Sequence, residues 1–281
     1  MRFTTKELIK KYKIRLTKSL GQNFLNDNNV ISNIVDTAEI TKDDLVMEIG
    51  PGIGSMTEEL ASRAGRVIAV EIDKHLIPAL KDNLKDFSNI EIINEDIMKV
   101  NAKEIMSNEQ SMSLKVVANL PYYITTPIIM KLLESENDIE LMVFMVQKEV
   151  AQRMVARPGG KDYGALSVAV QYYAQPEKAF DVSPHCFIPQ PDVESTIVKL
   201  KKNKKPPVDL KDKDIFFKVV KASFGQRRKT LLNALTNFGA FNKTKEEIRE
   251  ILNALNIDEN ARGETLSIEQ FASLSNQFAI K

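Results

Sequence analysis

From residue 44 onward the apolar positions switch between two periods. Short runs rich in Val and Ile, namely LVMEI (45–49), RVIAVEI (66–72), IEIINEDI (90–97), KVVAN (115–119) and IELMVFMV (139–146), read as strands. Between them lie SMTEELASRA and HLIPALKDNLKDF, whose apolar residues recur at helical spacing. KEVAQRMVA (148–156) reads as a further helix, and KAFDV (178–182) and ESTIVKL (194–200) as two more strands. Strands alternating with helices imply an α/β fold whose mostly parallel sheet, of about seven strands, is covered on both faces. The stretch VKLKKNKKPPVD (198–209), with five lysines and Pro206-Pro207, has the composition of a linker. Beyond it DIFFKVVKASF, RKTLLNALTNF, TKEEIREILNAL and SIEQFASLSNQF carry only helical periodicity. The reading is therefore an α/β domain over 1–205 and a smaller all-helical domain over 206–281, with no internal repeat.

Composition narrows this little. A chain of 281 residues, 43% apolar, is long enough for a sizeable core. The single Cys186 excludes an internal disulfide, and His75 and His185 form no cluster with metal-ligand spacing, so a metal-free protein is expected. No apolar stretch approaches the ~20 residues of a membrane span, and the Lys-rich start lacks the features of a signal peptide, which suggests a cytoplasmic location. With 39 basic against 38 acidic residues, a nucleic-acid face has to arise from local clustering. Residues 1–25, a basic amino-terminal arm, carry Arg2, Lys6, Lys10, Lys11, Lys13, Arg15 and Lys18 against the single acid Glu7. A second cluster, Lys221 with Arg227, Arg228 and Lys229, lies at the start of a helix of the second domain. Two such clusters suit a folded RNA, although basic tails are also common as solvated, unstructured chain.

In an open α/β sheet ligands bind at the carboxyl ends of the strands. The first strand ends in EIGPGIGS, where Gly50, Gly52 and Gly54 allow a tight turn and close approach of backbone to a ligand. The next strands end in Glu71, Asp96 and Asn119. A dinucleotide fingerprint would need glycine at position 55, which is Ser55, and no G-K-[ST] is present to hold a triphosphate. Glu71 stands where a carboxylate accepts both ribose hydroxyls, and Asp96 where one takes the exocyclic amine of an adenine. A ligand with adenosine, no phosphates and a positive charge that tolerates Glu48 is S-adenosylmethionine. Each of these residues taken singly is equally compatible with a solvated turn or a helix cap.

The strand KVVAN runs into Asn119-Leu120-Pro121-Tyr122. An adenine amine is a poor nucleophile because its lone pair is delocalised into the ring. The side-chain carbonyl of Asn119 and the backbone carbonyl of Leu120 supply two acceptors for its hydrogens. Pro121 stiffens the turn, and Tyr122 offers a flat face for a base taken out of its helix. A polar turn whose tyrosines pack on the core is the plainer alternative.

The chain resembles the KsgA/RsmA family of small-subunit (16S) rRNA adenine dimethyltransferases, which have the Rossmann-like sheet of class I S-adenosylmethionine-dependent methyltransferases. The likeness covers nearly the whole length and rests on LGQNFLND (20–27), EIGPGIGSMT (48–57), VEID (70–73), NEDIM (94–98), NLPYYITTPI (119–128), FIPQPDVES (187–195) and SFGQRRKTL (223–231). It implies that Gln22, Asn23 and Leu25 close over the cofactor, and that Gly50, Glu71, Asp96 and Asn119 contact it. It also implies that Phe187 faces Tyr122 across the target adenine. Tyr123 is too generic to assign. The activity implied is dimethylation of two adjacent adenines in a pre-ribosomal small subunit by a monomer, with S-adenosylhomocysteine as product. The rival readings are a large-subunit methylase of the erythromycin-resistance type, whose usual loop is N-I-P-Y, and a ribosome-assembly factor whose catalysis is dispensable. A DNA adenine methylase, usually D-P-P-Y, and a dinucleotide oxidoreductase fit less well.

Overall fold

The structure, a computed structural model, describes residues 3–14, 21–101, 105, 112–135, 139–226 and 228–279. Helix α1 (Thr5–Lys11), strand β1 (Phe24–Leu25) and helix α2 (Asn28–Thr37) precede β2 (Asp44–Ile49). The alternation then runs α3 (Ser55–Arg63), β3 (Arg66–Val70), α4 (Ile77–Asn83), β4 (Ile90–Ile93), β5 (Ser113–Asn119), α5 (Thr125–Glu134) and β6 (Ile139–Gln147). Next come α6 (Lys148–Val155), α7 (Ala165–Tyr173), β7 (Ala174–Val182), β8 (Phe187–Ile188) and β9 (Ser195–Lys202). The chain ends in α8 (Lys213–Gly225), α9 (Leu231–Phe238), α10 (Lys245–Ala254) and α11 (Ile268–Phe278).

Seven strands form one sheet in the order β4-β3-β2-β5-β6-β9-β7. The pairs β2–β3, β3–β4, β2–β5 and β5–β6 are parallel, and β9 runs antiparallel to β6. Every residue of β2 is buried, as a central strand covered on both faces requires. From β2 the chain builds outward through β3 to β4, then returns to the other side of β2 for β5. That reversal opens a crevice at the carboxyl ends of β2 and β5, where α/β sheets bind ligands.

The chain divides into two compact units, Met1–Ala151 with Pro176–Lys202, and Gln152–Gln175 with Asn203–Lys281. The expected boundary near 204–208 thus corresponds to one junction only. Residues 152–175, assigned from sequence to the α/β domain, belong with the helices. Tyr163, Val168 and Tyr172 are buried in one cluster with Phe216, Val219, Leu231 and Phe271, and the Tyr172 and Phe216 rings lie 5.4 Å apart. Linker composition marked the later crossing, whereas this excursion has no linker of its own. The lysine run is likewise only partly a linker, since β9 continues to Lys202, whose Nζ donates to the Ser135 carbonyl at 2.7 Å.

The basic arm contains structure too. Thr4 and Glu7 form a capping box that starts α1, and Leu8 is fully buried against Phe24, Ile53, Leu76 and Ala79. Lys11, expected on RNA, is paired with Asp82 at 2.5 Å, and Tyr12 donates to the same carboxylate at 2.9 Å. This arrangement fixes the helix at the surface, with the Lys11 side chain 47% exposed.

Among the described residues, Lys115 and Asp44 form a buried ion pair in the sheet. Lys115 Nζ lies 3.0 Å from Asp44 and donates to the Glu39 carbonyl at 2.6 Å, while the Thr41 amide and hydroxyl donate to Asp44. Removing one partner leaves the other charge buried without compensation. Lys115→Met is expected to lower unfolding free energy by about 3 to 5 kcal/mol in urea titration, and adding Asp44→Asn to recover part of the loss. A loss below about 1 kcal/mol for the single variant would contradict this account of the pair.

Candidate active site

The loop after β2 is built around Gly52 and Gly54, whose φ angles of +61° and +91° are left-handed. A Cβ on Gly52 would lie 2.9 Å from the Phe24 ring, so both backbone and space demand glycine there. The Gly52 amide donates to Glu71 Oε2 at 3.0 Å, and the Asp73 amide donates to Oε1 at 2.8 Å. Each carboxylate oxygen is thereby held by one backbone N–H and keeps a lone pair for a further donor. Gly54 ends the loop as the N-cap of α3, leaving the first amides of that helix at the cleft beside Ser55 and Met56.

Segment 21–26 crosses this loop and is fastened at three places. Gln22 Nε2 donates to Asp73 at 2.8 Å. The Asn23 carbonyl accepts from Asn119 Nδ2 at 3.0 Å. Phe24 and Leu25 pair antiparallel with Ile188 and Phe187, and the Asn26 amide donates to the Cys186 carbonyl at 2.8 Å. The bond to Asn23 decides how the Asn119 amide sits. A backbone carbonyl receives only from a donor, so the NH2 end points to Asn23 and the Oδ1 end is left for the cleft. Next to it, the Leu120 amide donates to the Met145 carbonyl at 3.1 Å, while the Pro121 carbonyl accepts from Ile124 and Thr125. The turn is thus pinned on both sides. The Tyr122 hydroxyl lies 2.7 Å from Ser195 Oγ, fixing that ring, and burial raises the phenol pKa.

A cleft of about 870 Å³, counted out to its open mouth, brings together Gln22, Asn23, Leu25, Gly50, Gly52, Glu71, Asn119, Leu120, Pro121 and Tyr122. Two expected residues are not on its wall. Asp96 follows the edge strand β4, two strands away from the glycine loop, and its Oδ1 accepts from the Met98 amide at 2.9 Å. Phe187 is only 2% exposed and packs in the core with Ile31, Val143, Met145 and Ile197. Its pairing with Leu25 turns it inward, so as packed it is not a face for a base. The structure offers Tyr123 instead, unassigned from sequence, which lines the mouth and is 58% exposed. Ile72, 51% exposed at the same rim, was also missed. Both follow a flagged residue directly, and adjacency was the available signal. Of the basic residues expected on RNA, Lys10, Lys11, Lys13, Lys221, Arg228 and Lys229 are exposed, Lys11 while paired with Asp82, and Arg15 and Arg227 lie outside the described residues.

The cleft is acidic. Glu48 and Glu71 line it at 1% and 4% exposure, and among the described residues no Lys or Arg does. That donor set suits a cationic ligand without phosphates, because a pyrophosphate would face two carboxyls and no counter-charge. Among the described residues no group of three or more His, Cys, Asp or Glu is placed to hold a metal ion. Burial pushes Glu48 up to about 8, with the Glu71 charge adding to the shift and Thr57 opposing it. Burial also raises Glu71, against the lowering effect of the Asp73 and Gly52 amides. A carboxyl whose folded pKa is raised stabilises the fold fully below its unfolded value of 4.5, and that contribution is lost as pH climbs to about 8. In urea titrations between those limits, Glu48→Gln is expected to gain on the wild type by on the order of 4 kcal/mol, and a constant gap would contradict the assignment.

Against this geometry stand the comparisons with known proteins. The model of the ribosomal RNA adenine dimethylase family matches residues 13–279. A relative from Clostridioides difficile (strain 630), named ribosomal RNA small subunit methyltransferase A, is 55% identical over 273 residues, covering 97% of this chain and 94% of the relative. Among solved structures, a dimethyladenosine transferase from Plasmodium falciparum is 26% identical with a TM-score of 0.77, covering 89% of this chain and 95% of that one. The 23S rRNA methyltransferase ErmE is 27% identical with a TM-score of 0.69, covering 91% and 99%. With the family model spanning almost the whole sequence and the switch-point cleft carrying its glycine loop and N-L-P-Y turn, the chain belongs to the ribosomal RNA adenine dimethylase family.

Proposed function

We propose that this protein transfers methyl groups from S-adenosylmethionine to the exocyclic amines of two adjacent adenines of small-subunit (16S) rRNA, giving dimethyladenosine during ribosome biogenesis. The observation that carries the reading is the orientation of Asn119, whose Nδ2 is held by the Asn23 carbonyl at 3.0 Å so that Oδ1 is available in the cleft. The small-subunit target is supported by the relative at 55% identity, while the similarity to ErmE makes a large-subunit target the reading to be tested against it.

Bound S-adenosylmethionine supplies an electrophilic methyl carbon on a sulfonium. Glu71 is assigned to its ribose hydroxyls, and Asp96 keeps the adenine amine on the strength of its strand-end position. Gln22, Asn23 and Leu25, fastened across the glycine loop, keep water out. Asn119 Oδ1 and the Leu120 carbonyl accept the two hydrogens of the target amine. Gripped in that way, the nitrogen pyramidalises and directs its lone pair along the line of attack. The methylated amine is acidic enough to lose its proton to water, so alignment and charge placement do the catalytic work. Tyr122 stacks on the target base, and Tyr123 takes the second aromatic role that the resemblance implied for Phe187. Lys10, Lys13, Lys221, Arg228 and Lys229 are assigned to RNA phosphates, which supply affinity while shape supplies recognition. We further infer a monomer acting on a pre-ribosomal small subunit in the cytoplasm, with the helical unit contributing to RNA binding.

Incubation of unmethylated small and large subunits with isotopically labelled cofactor, followed by mass spectrometry of the rRNA, is expected to find label on adenines of the small subunit alone. Label confined to the large subunit would establish the rival target. Asn119→Ala is expected to abolish transfer while leaving RNA affinity within a few fold, and retained turnover would defeat the assignment. Tyr123→Ala is expected to lower kcat/KM by roughly 10-fold, on the scale of about 1 to 3 kcal/mol for one stacked base, with Tyr123→Phe restoring it. Phe187→Ala is expected to cost stability, about 3 to 5 kcal/mol. A stable but inactive Phe187→Ala protein would return the stacking role to that residue.

A further inference from the structure

Glu48 has features that the transfer reaction described above does not use. It is 1% exposed on the wall of the cleft, and its Oε2 is fully buried with no hydrogen-bond partner. The flanking strands place Ala69 and Val117 beside it, both apolar. From α3 comes the Thr57 hydroxyl, near enough to favour the ionised carboxyl although neither it nor Oε2 makes a hydrogen bond of normal geometry, and the titratable group that bears on Glu48 is Glu71. These two carboxyls share a cleft in which no described Lys or Arg offers a counter-charge, so the pair resists double ionisation. The backbone settles which one keeps its proton. Glu71 accepts from the Gly52 and Asp73 amides, which stabilise a negative charge, whereas no backbone amide reaches Glu48 among the described residues. Two groups of one chemical type are thus driven apart by their surroundings.

We propose that Glu48 is a charge gate: neutral in the free protein, it ionises opposite a cationic ligand and so favours S-adenosylmethionine over its neutral-sulfur product. The inference rests on the cofactor reading above and extends it to discrimination between cosubstrate and product. The proton balance is simple. One proton passes from Glu48 to solvent when the sulfonium arrives. After the methyl group has moved to the adenine nitrogen, the sulfur is a neutral thioether and Glu48 takes a proton back from solvent. The methylated amine separately releases its own proton to water. Loss of the counter-charge makes the product the poorer fit, which promotes its exchange between the two transfers to each adenine. The direction agrees with burial, which pushes the Glu48 carboxyl up to about 8.

Calorimetric titration of the full-length protein at about pH 6.5, in two buffers of different ionisation enthalpy, reads the proton directly. Wild type is expected to release roughly one proton per S-adenosylmethionine bound and less than half of one per S-adenosylhomocysteine. The ligand's α-ammonium is charged in both at that pH and drops out of the comparison. In Glu48→Gln the extra release is expected to vanish, and the ratio of S-adenosylmethionine to S-adenosylhomocysteine affinity to fall by roughly tenfold. Binding by wild type with no buffer-dependent heat would overturn the gate while leaving the cofactor reading intact, as would equal release by Glu48→Gln. Absence of binding heat from both ligands would instead remove the cofactor reading, and the gate with it.

Discussion

In the proposed function one hydrogen bond organises the chemistry: Asn119 Nδ2 donating to the Asn23 carbonyl at 3.0 Å. A carboxamide has a donor end and an acceptor end of nearly the same shape, and only the acceptor end can take a hydrogen from an adenine amine. By committing the nitrogen to a backbone carbonyl, the fold fixes which end is left for the cleft. The same bond ties the last residue of β5 to the segment that covers the glycine loop. A local choice of amide orientation is therefore linked to the closure of the cleft. Gln22 on Asp73 and the pairing of Phe24–Leu25 with Phe187–Ile188 hold that segment at its other points.

The second constraint is electrostatic. A cleft with Glu48 and Glu71 buried on its wall and no positive charge among its described lining residues is costly to maintain for a protein with nothing to put there. A cationic ligand would offset that cost, and the backbone amides on Glu71 set the two carboxyls apart, one supported as an anion and one without such support. Stability is given up at the site, and the buried strands beneath it supply what is needed to tolerate that loss. The unpaired oxygen of Glu48 is a cost of this kind.

Much of this was legible in the sequence because it follows from local periodicity. The seven strands of the sheet, the helices of the carboxyl-terminal region and the strand-end residues Glu71 and Asn119 are set by runs of a few residues and their terminators. What escaped depends on long-range packing. The 152–175 segment joins the helical unit through Tyr163, Val168 and Tyr172, residues that look the same in any core. Phe187 stands in a proline-rich motif to which the resemblance alone gives a role, and the ring's direction is set by its pairing with Leu25, far away in sequence. Tyr123 is distinguished from Tyr122 only by which ring finds Ser195. The resemblance supplied the roles of Gln22 and Asn23, which appear from sequence to be a polar loop. Their hydrogen-bond partners give those roles a physical cause.

The central claim is that orientation, and not merely the presence, of an acceptor at position 119 makes the adenine nitrogen reactive. Asn119→Asp keeps oxygen acceptors at that position and removes the N–H that the Asn23 carbonyl holds. Single-turnover methylation of small subunits by this variant, with cofactor and RNA saturating, is the most direct measurement. The account predicts a rate at least about 100-fold below wild type, the scale of losing one preorganised polar group at a reacting centre. A rate within a few fold of wild type would show that the acceptor alone suffices and would contradict it.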